Sequence, residues 1–206
     1  MAGARAVMRV FGDAQSGNCY KVQLLLRQLG RPFEWVPVDV LKQETRKAEF
    51  LALNPAGQVP LVLWDDGRSL PESNAILLHL AEGTPLLPSD AWARAQVYRW
   101  LFWEQYQHEP TVAVARFIVH YLKNPPEQAE RLAGLQLRAQ RALRLMDEHL
   151  ARQPFMAGGA YSVADIALYA YTHVAPQGGL PLDDYPALRA WLARVAAQPG
   201  HSRMGE

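Results

Sequence analysis

A small α/β domain followed by an all-α domain is the fold class this sequence predicts, and three observations predict it. Up to Gly83 the chain alternates short β-rich runs with helical segments of 3.6-residue period. Residues 83 to 89, running from Gly83 through Pro85 and Pro88 to Ser89, form a Gly/Pro-rich connector. Beyond that connector the pattern is helical throughout, which is the change of period that marks a domain boundary.

Each element has its own warrant. Ala6 to Gly12 reads as the first strand, and Asn18 to Leu29 as an amphipathic helix carrying Val22, Leu25, Leu26 and Leu29 on one face. Gly30 is a natural C-terminal stop for that helix. Phe33 to Val40 is a second β-rich run, parallel to the first when the helix serves as the crossover. Thr45 to Leu53 is helical and ends at Asn54-Pro55. Leu61 to Trp64 is a strand, and Asp65 to Gly67 a tight turn into a short second strand, because an Asp-Gly step between apolar runs supplies the positive φ a hairpin needs. Asn74 to Ala81 closes the first domain near Glu82. In the second domain, helical stretches run from Trp92 to Tyr121 with a break at Pro110, from Pro126 to Arg152, from Val163 to Val174 and from Pro186 to Ala197. Ser162 and Asp165 open the third of these as a capping box, a folding device that touches no ligand.

Composition narrows the function. The 206 residues are half hydrophobic, enough for a real core, and the net charge of +1 gives no electrostatic case for nucleic acid or an anionic membrane surface. No run approaches the apolar length of a membrane span, and the start of the chain reads better as a strand than as a signal peptide. The single cysteine excludes an intrachain disulfide and fits a reducing, cytoplasmic setting. The six histidines lack metal-site spacing, so no metal is expected.

The most informative stretch is residues 54 to 76. Val59-Pro60 is an extended X-Pro step ahead of a strand, of the kind that adopts a cis bond and turns its backbone outward to pair with a peptide-like ligand. Glu72 and Ser73 then put an acid and a hydroxyl at a helix N-terminus, where free N–H groups attract an anion. These residues resemble the glutathione-binding half of a glutathione S-transferase, and the resemblance spans nearly the whole chain. It implies a thioredoxin-like glutathione-binding domain over residues 1–83 and a helical-bundle domain over 90–206 that lines an electrophile site. It also implies that Gln58 and Val59 grip the cysteinyl backbone of glutathione, and that Glu72 and Ser73 grip the γ-glutamyl end.

Ser16 to Val22 lies between the first strand and its helix, where thioredoxin-like folds keep their reactive group. Ser16 stands where dithiol enzymes carry the leading cysteine, so protein-dithiol redox chemistry is disfavoured. A hydroxyl there suits stabilisation of a bound thiolate, helped by the helix N-terminus. By resemblance Ser16 matches the activating serine of theta-like transferases, and Asn18 matches a side-chain amide that also donates to sulfur in bacterial nu-like enzymes. Residues 6 to 15 contain no tyrosine, as the Tyr-type classes require. Cys19 reads as a small buried residue rather than a nucleophile. Lys21 and Arg46 read as solvated charges, with Thr45 or Arg46 near the glycyl end of glutathione.

The resemblance also puts Tyr106, Arg116 and Phe117 in the electrophile pocket, and it implies a homodimer joined through the helix after Ser73 and the long helix from Trp92. Three functions follow. The leading one is addition of glutathione thiolate to a hydrophobic electrophile; the alternatives are a glutathione-dependent disulfide or peroxide reductase and a non-catalytic binding or regulatory member of the fold.

Overall fold

The computed structural model describes residues 8–206, which form two compact units. Unit one holds the chain up to Glu82 together with Pro199–Glu206, and unit two is Gly83–Gln198. The expected helical domain was drawn to residue 206, but the last eight residues belong to the first unit instead. Ala6 and Val7 of the expected first strand lie outside the described residues.

The first unit is a four-stranded mixed sheet in the order β2-β1-β3-β4, formed by β1 (Met8–Gly12), β2 (Phe33–Pro37), β3 (Leu61–Leu63) and β4 (Ser69–Pro71). β1 pairs in parallel with β2 and antiparallel with β3, and β3 is antiparallel to β4. β2 stops earlier than expected, at Pro37, whose ring nitrogen has no proton to continue a ladder. The β3–β4 connection is the expected tight turn, closed by Trp64 N to Arg68 O at 2.9 Å with Gly67 at φ +84°.

α1 (Gly17–Gln28) crosses from β1 to β2, and α3 (Ser73–Ala81) packs against it. The expected helix from Thr45 to Leu53 is split in two. A 3₁₀ turn over Glu44–Arg46 gives way to α2 (Ala48–Leu53), because Lys47 is extended at φ −65°, ψ 146°. Phe50 of α2 meets Phe11 edge-on, and Val38 and Leu61 complete that small core.

Helix α1 is not amphipathic in the expected sense: from Cys19 to Leu26 every residue is buried. The returning C-terminal segment covers part of it. The Tyr20 hydroxyl donates to Ser202 O at 2.6 Å, while Gln23 Nε2 and Arg27 Nη2 donate to Glu206 O at 3.1 and 2.6 Å. Gly200 lies so near α1 that an added Cβ would meet Gln28 Cα at 2.8 Å.

The second unit contains α4 (Ala91–Trp103), α5 (Glu109–Arg116), α6 (Ala129–Leu150), α7 (Val163–Thr172) and α8 (Pro186–Ala196). Among the described residues no helix is long and apolar enough to cross a membrane. The expected break at Pro110 is absent. Helical backbone continues from Ala91 to Tyr121, with π turns over Glu104–His108 and Phe117–Tyr121. The first π turn widens the helix just ahead of Pro110, the second residue of α5, and the chain stays helical through the ring.

The capping box is present, and it does more than cap. Asp165 is fully buried; its Oδ2 accepts from Ser162 N at 3.0 Å and from the Ser162 hydroxyl at 3.2 Å. Its Oδ1 accepts from Met156 N and Trp191 Nε1, both at 2.8 Å, tying the start of α7 to the preceding loop and to α8. Burial pushes this carboxyl up from 3.8 to about 6 against the pull of those bonds. The folded state therefore holds the proton more tightly than the unfolded chain. Asp165's titration contributes stability fully below pH 3.8, and that part is lost as pH rises through about 6. Asp165→Ala strands the Trp191 and Met156 donors, each at about 1–3 kcal/mol. Urea unfolding is expected to show a loss of about 3 kcal/mol or more, with Asp165→Asn milder and lacking the wild-type slope between pH 4 and 6. A loss under about 1 kcal/mol would reduce Asp165 to a simple helix cap.

Candidate active site

Four of the residues singled out in the first unit, Ser16, Asn18, Glu72 and Ser73, lie at two helix N-termini. Ser16 is the N-cap of α1, with extended backbone (φ −78°, ψ 125°) and its Oγ accepting from Cys19 N at 3.4 Å. The plain capping role is thus real, yet a hydroxyl that caps by accepting keeps its proton for donation. Asn18, one residue inside α1, and Ser73, the first residue of α3, meet directly: the Ser73 hydroxyl donates to Asn18 Oδ1 at 3.3 Å. That bond joins the start of α1 to the start of α3.

Glu72 precedes α3 at φ +71°, ψ 105°, a backbone region that a side chain with a Cβ rarely occupies. Such strain costs of the order of 1–3 kcal/mol and clusters at functional sites. The Glu72 side chain is exposed, while Ser73 is buried.

The Val59–Pro60 bond is cis, and Val59 lies two residues ahead of the paired part of β3. Gln58 is exposed, and its carbonyl is held by Asn54 Nδ2 at 2.8 Å. Asn54 is buried, and its Oδ1 also accepts from Ala56 N at 3.1 Å, so one amide shapes the whole approach to Val59. Sequence reasoning treated Asn54 only as a helix end. The signal that would have found it is an Asx residue four positions before the carbonyl that precedes Val59. Arg46 is exposed and reaches Ala56 O at 3.5 Å, beside Gly57 at φ +62°, where a Cβ would fall 2.6 Å from its guanidinium; Thr45 is buried.

Lys21 is the largest departure from expectation. It is not solvated but 0% exposed, and its ammonium donates to Ser73 Oγ and Asn74 Oδ1, both at 3.3 Å.

In the second unit the three expected pocket residues have different environments. Tyr106 lies in the first π turn and is 80% exposed; Phe117 opens the second and is partly exposed. Arg116 is 2% exposed, its Nε donating to Gln177 Oε1 at 2.7 Å and its guanidinium lying 5.6 Å from the Tyr121 ring. It is an interior residue of its own domain. Trp92 and Phe102 of α4 are each 72% exposed, whereas Ile76, Leu77 and Leu80 of α3 are buried within the first unit. Of the two helices expected at a subunit interface, α4 exposes large aromatic side chains, while these three α3 residues are buried.

Residues 15–82 match the family model for the glutathione S-transferase N-terminal domain, and residues 112–199 the model for the glutathione S-transferase C-terminal domain. The crystal structure of a glutathione S-transferase from Pseudomonas fluorescens is 49% identical and superposes with a TM-score of 0.95, covering 97% of this chain and 100% of that one. Glutathione S-transferase 3 of Zea mays is 31% identical over 96% of this chain and 93% of its own length. The disulfide-bond oxidoreductase YfcG of Escherichia coli is 30% identical over 90% of this chain and 89% of its own. The chain belongs to the glutathione S-transferase family, with its thioredoxin-like N-terminal and helical C-terminal domains.

Cys19, the sole cysteine, is fully buried, and burial pushes its thiol up to about 12. Such a group is no nucleophile at neutral pH. A maleimide at pH 7.5 is expected to leave native Cys19 unlabelled and to label it fully in denaturant, read by mass spectrometry. Rapid labelling of the native protein would return Cys19 to the list of reactive groups.

Proposed function

We propose that the protein is a Ser-type glutathione transferase that binds glutathione in its N-terminal domain and adds the thiolate to a hydrophobic electrophile. The observation that carries this reading is the 3.3 Å bond between Ser73 and Asn18, because it brings the residues assigned to the γ-glutamyl end and to the sulfur to adjoining helix N-termini. In this reading Glu72 takes the γ-glutamyl ammonium, and the backbone N–H of Ser73 with the α3 N-terminus takes its carboxylate. Gln58 and the Val59 backbone hold the cysteinyl unit. The Ser16 hydroxyl and the Asn18 amide donate to the sulfur, lowering the thiol pKa so that more thiolate is present at neutral pH. With an aryl halide, the sulfur–carbon bond forms as halide leaves. The strained Glu72 backbone supports the assignment, since strain of this kind persists where a function needs it. The exposed Tyr106 and Phe117 are the proposed electrophile side, and the buried Arg116 backs them from inside the domain. Two π turns at Glu104–His108 and Phe117–Tyr121 support that choice, such turns being frequent at functional sites. A lone buried cysteine suits a reducing compartment, and we assign the protein to the cytoplasm.

A second reading, glutathione-dependent disulfide reduction, is favoured by the 30% identity to a disulfide-bond oxidoreductase and by Asn18. Parallel assays with an aryl halide and a small model disulfide separate the two readings.

Paired variants test the site. Ser16→Ala is expected to lower the conjugation rate tenfold or more with glutathione still bound, because a hydrogen bond to a charged group contributes about 1.5–3 kcal/mol. Glu72→Ala is expected to raise KM for glutathione with kcat nearly unchanged, its contact being equal in ground and transition states. An unaltered rate and pH profile in the first, or a large fall in kcat with unchanged binding in the second, would displace the site. The exposed Trp92, Phe102 and Tyr106 support a two-fold homodimer. Sedimentation at micromolar concentration is expected to give twice the chain mass, and a stable, fully active monomer would refute the dimer.

A further inference from the structure

We infer that Lys21 is a positioning residue that sets the hydrogen-bond direction of the site, fixing through Ser73 which end of the Asn18 side chain faces the sulfur. The inference rests on the proposed glutathione site and extends it to a residue buried beneath it. An ammonium has only donors to offer. Lys21 Nζ lies 3.3 Å from Ser73 Oγ in a site with no exposure, so Ser73 must accept there. The hydroxyl of Ser73 carries one proton, and it points to Asn18 at 3.3 Å. The Asn18 atom facing Ser73 is then its acceptor, Oδ1, and the NH₂ of the same planar amide is turned away from Ser73. With the ammonium filling one acceptor site of Ser73 and the hydroxyl proton directed at Asn18 Oδ1, the chain runs from Lys21 through Ser73 to Asn18. The second bond of Lys21, to Asn74 Oδ1 at 3.3 Å, fixes the ammonium against the first turn of α3. Asn18 is thereby held with donors presented, which is the state that stabilises a thiolate; the reverse orientation would set a carbonyl oxygen against a negative sulfur.

Lys21→Met tests this, since it removes the donor, keeps the length of the side chain and takes a buried charge out of the core, a change that is often neutral for folding. With the wild type conjugating an aryl halide, the apparent pKa of kcat/KM is expected to rise by about one unit in Lys21→Met, a roughly tenfold loss at neutral pH. Asn18→Ala is expected to give the same shift, and the double variant no further shift, as for residues acting through one path. A residue that merely stabilises the fold would leave the pH profile where it is. A profile unchanged in Lys21→Met, or shifts that add in the double variant, would overturn the inference while leaving the transferase reading intact. A wild type that neither binds nor conjugates glutathione would overturn both. Should Lys21→Met fail to fold, the wild type decides alone: the Asn18 side-chain NH₂ resonances, assigned by their loss in Asn18→Ala, are expected to shift on addition of S-methylglutathione. Resonances that stay in place would show the amide turned toward Ser73 and the inference wrong.

Discussion

The burial of α1 on every side is the constraint on which the first domain depends. A helix in that position must match each of its polar side chains with a partner, since a buried donor or acceptor left alone costs about 1–3 kcal/mol. Tyr20, Lys21 and Gln23 are matched by Ser202 O, by Ser73 with Asn74, and by Glu206 O. The sheet, α3 and the last residues of the chain are thus tied to one helix. Its N-terminus, with Ser16 and Asn18, is held by a scaffold rather than left on a mobile loop. That rigidity suits the donor role proposed for Ser16 and Asn18, which needs both held at one point in space.

Much of this was legible from sequence because local chemistry and global fold agree. Alternating β-rich and helical runs specify the mixed sheet, Asp66-Gly67 specifies the hairpin, and the apolar spacing after Ser89 specifies the bundle. Legibility ended where long-range contacts decided the outcome. Lys21 reads as a surface charge in any local window, and partners fifty residues away help to make its burial tolerable. The docking of the C-terminal residues on α1 carries no local signal either. Pro110 signals a break, but a widened turn ahead of it absorbs the ring. At the site, Ser16, Asn18 and Ser73 were readable as a group through their motifs, whereas Asn54 was hidden because its contribution is a bond to another residue's backbone.

Gln43 and Glu72 both hold a positive φ in the first domain, but Gln43 lies in the ordinary left-handed region (φ +56°, ψ 31°) and Glu72, at φ +71° and ψ 105°, does not. Most of its neighbours adopt backbone angles natural to their residue types, while Glu72 is held at a positive φ between β4 and α3. Glycine would relax there at no steric cost. A carboxylate in its place carries a backbone cost and sets a charge just before the start of α3, in keeping with the ligand-binding role proposed for it.

The two π turns in the 91–121 helix carry a consequence for comparing this chain with its relatives. Each widened turn accommodates about one extra residue, and a residue in an α-helix occupies about 100° of arc. The angular phase of the helix is therefore reset at Glu104–His108 and again at Phe117–Tyr121. A relative that lacks one of these turns would carry one residue fewer in this stretch, and the gap would have to fall inside a helix instead of a loop. Aligned without that gap, its residues after position 108 would be matched to positions about a quarter-turn away, and side chains that line a surface in one protein would be compared with side chains that fill a core in the other.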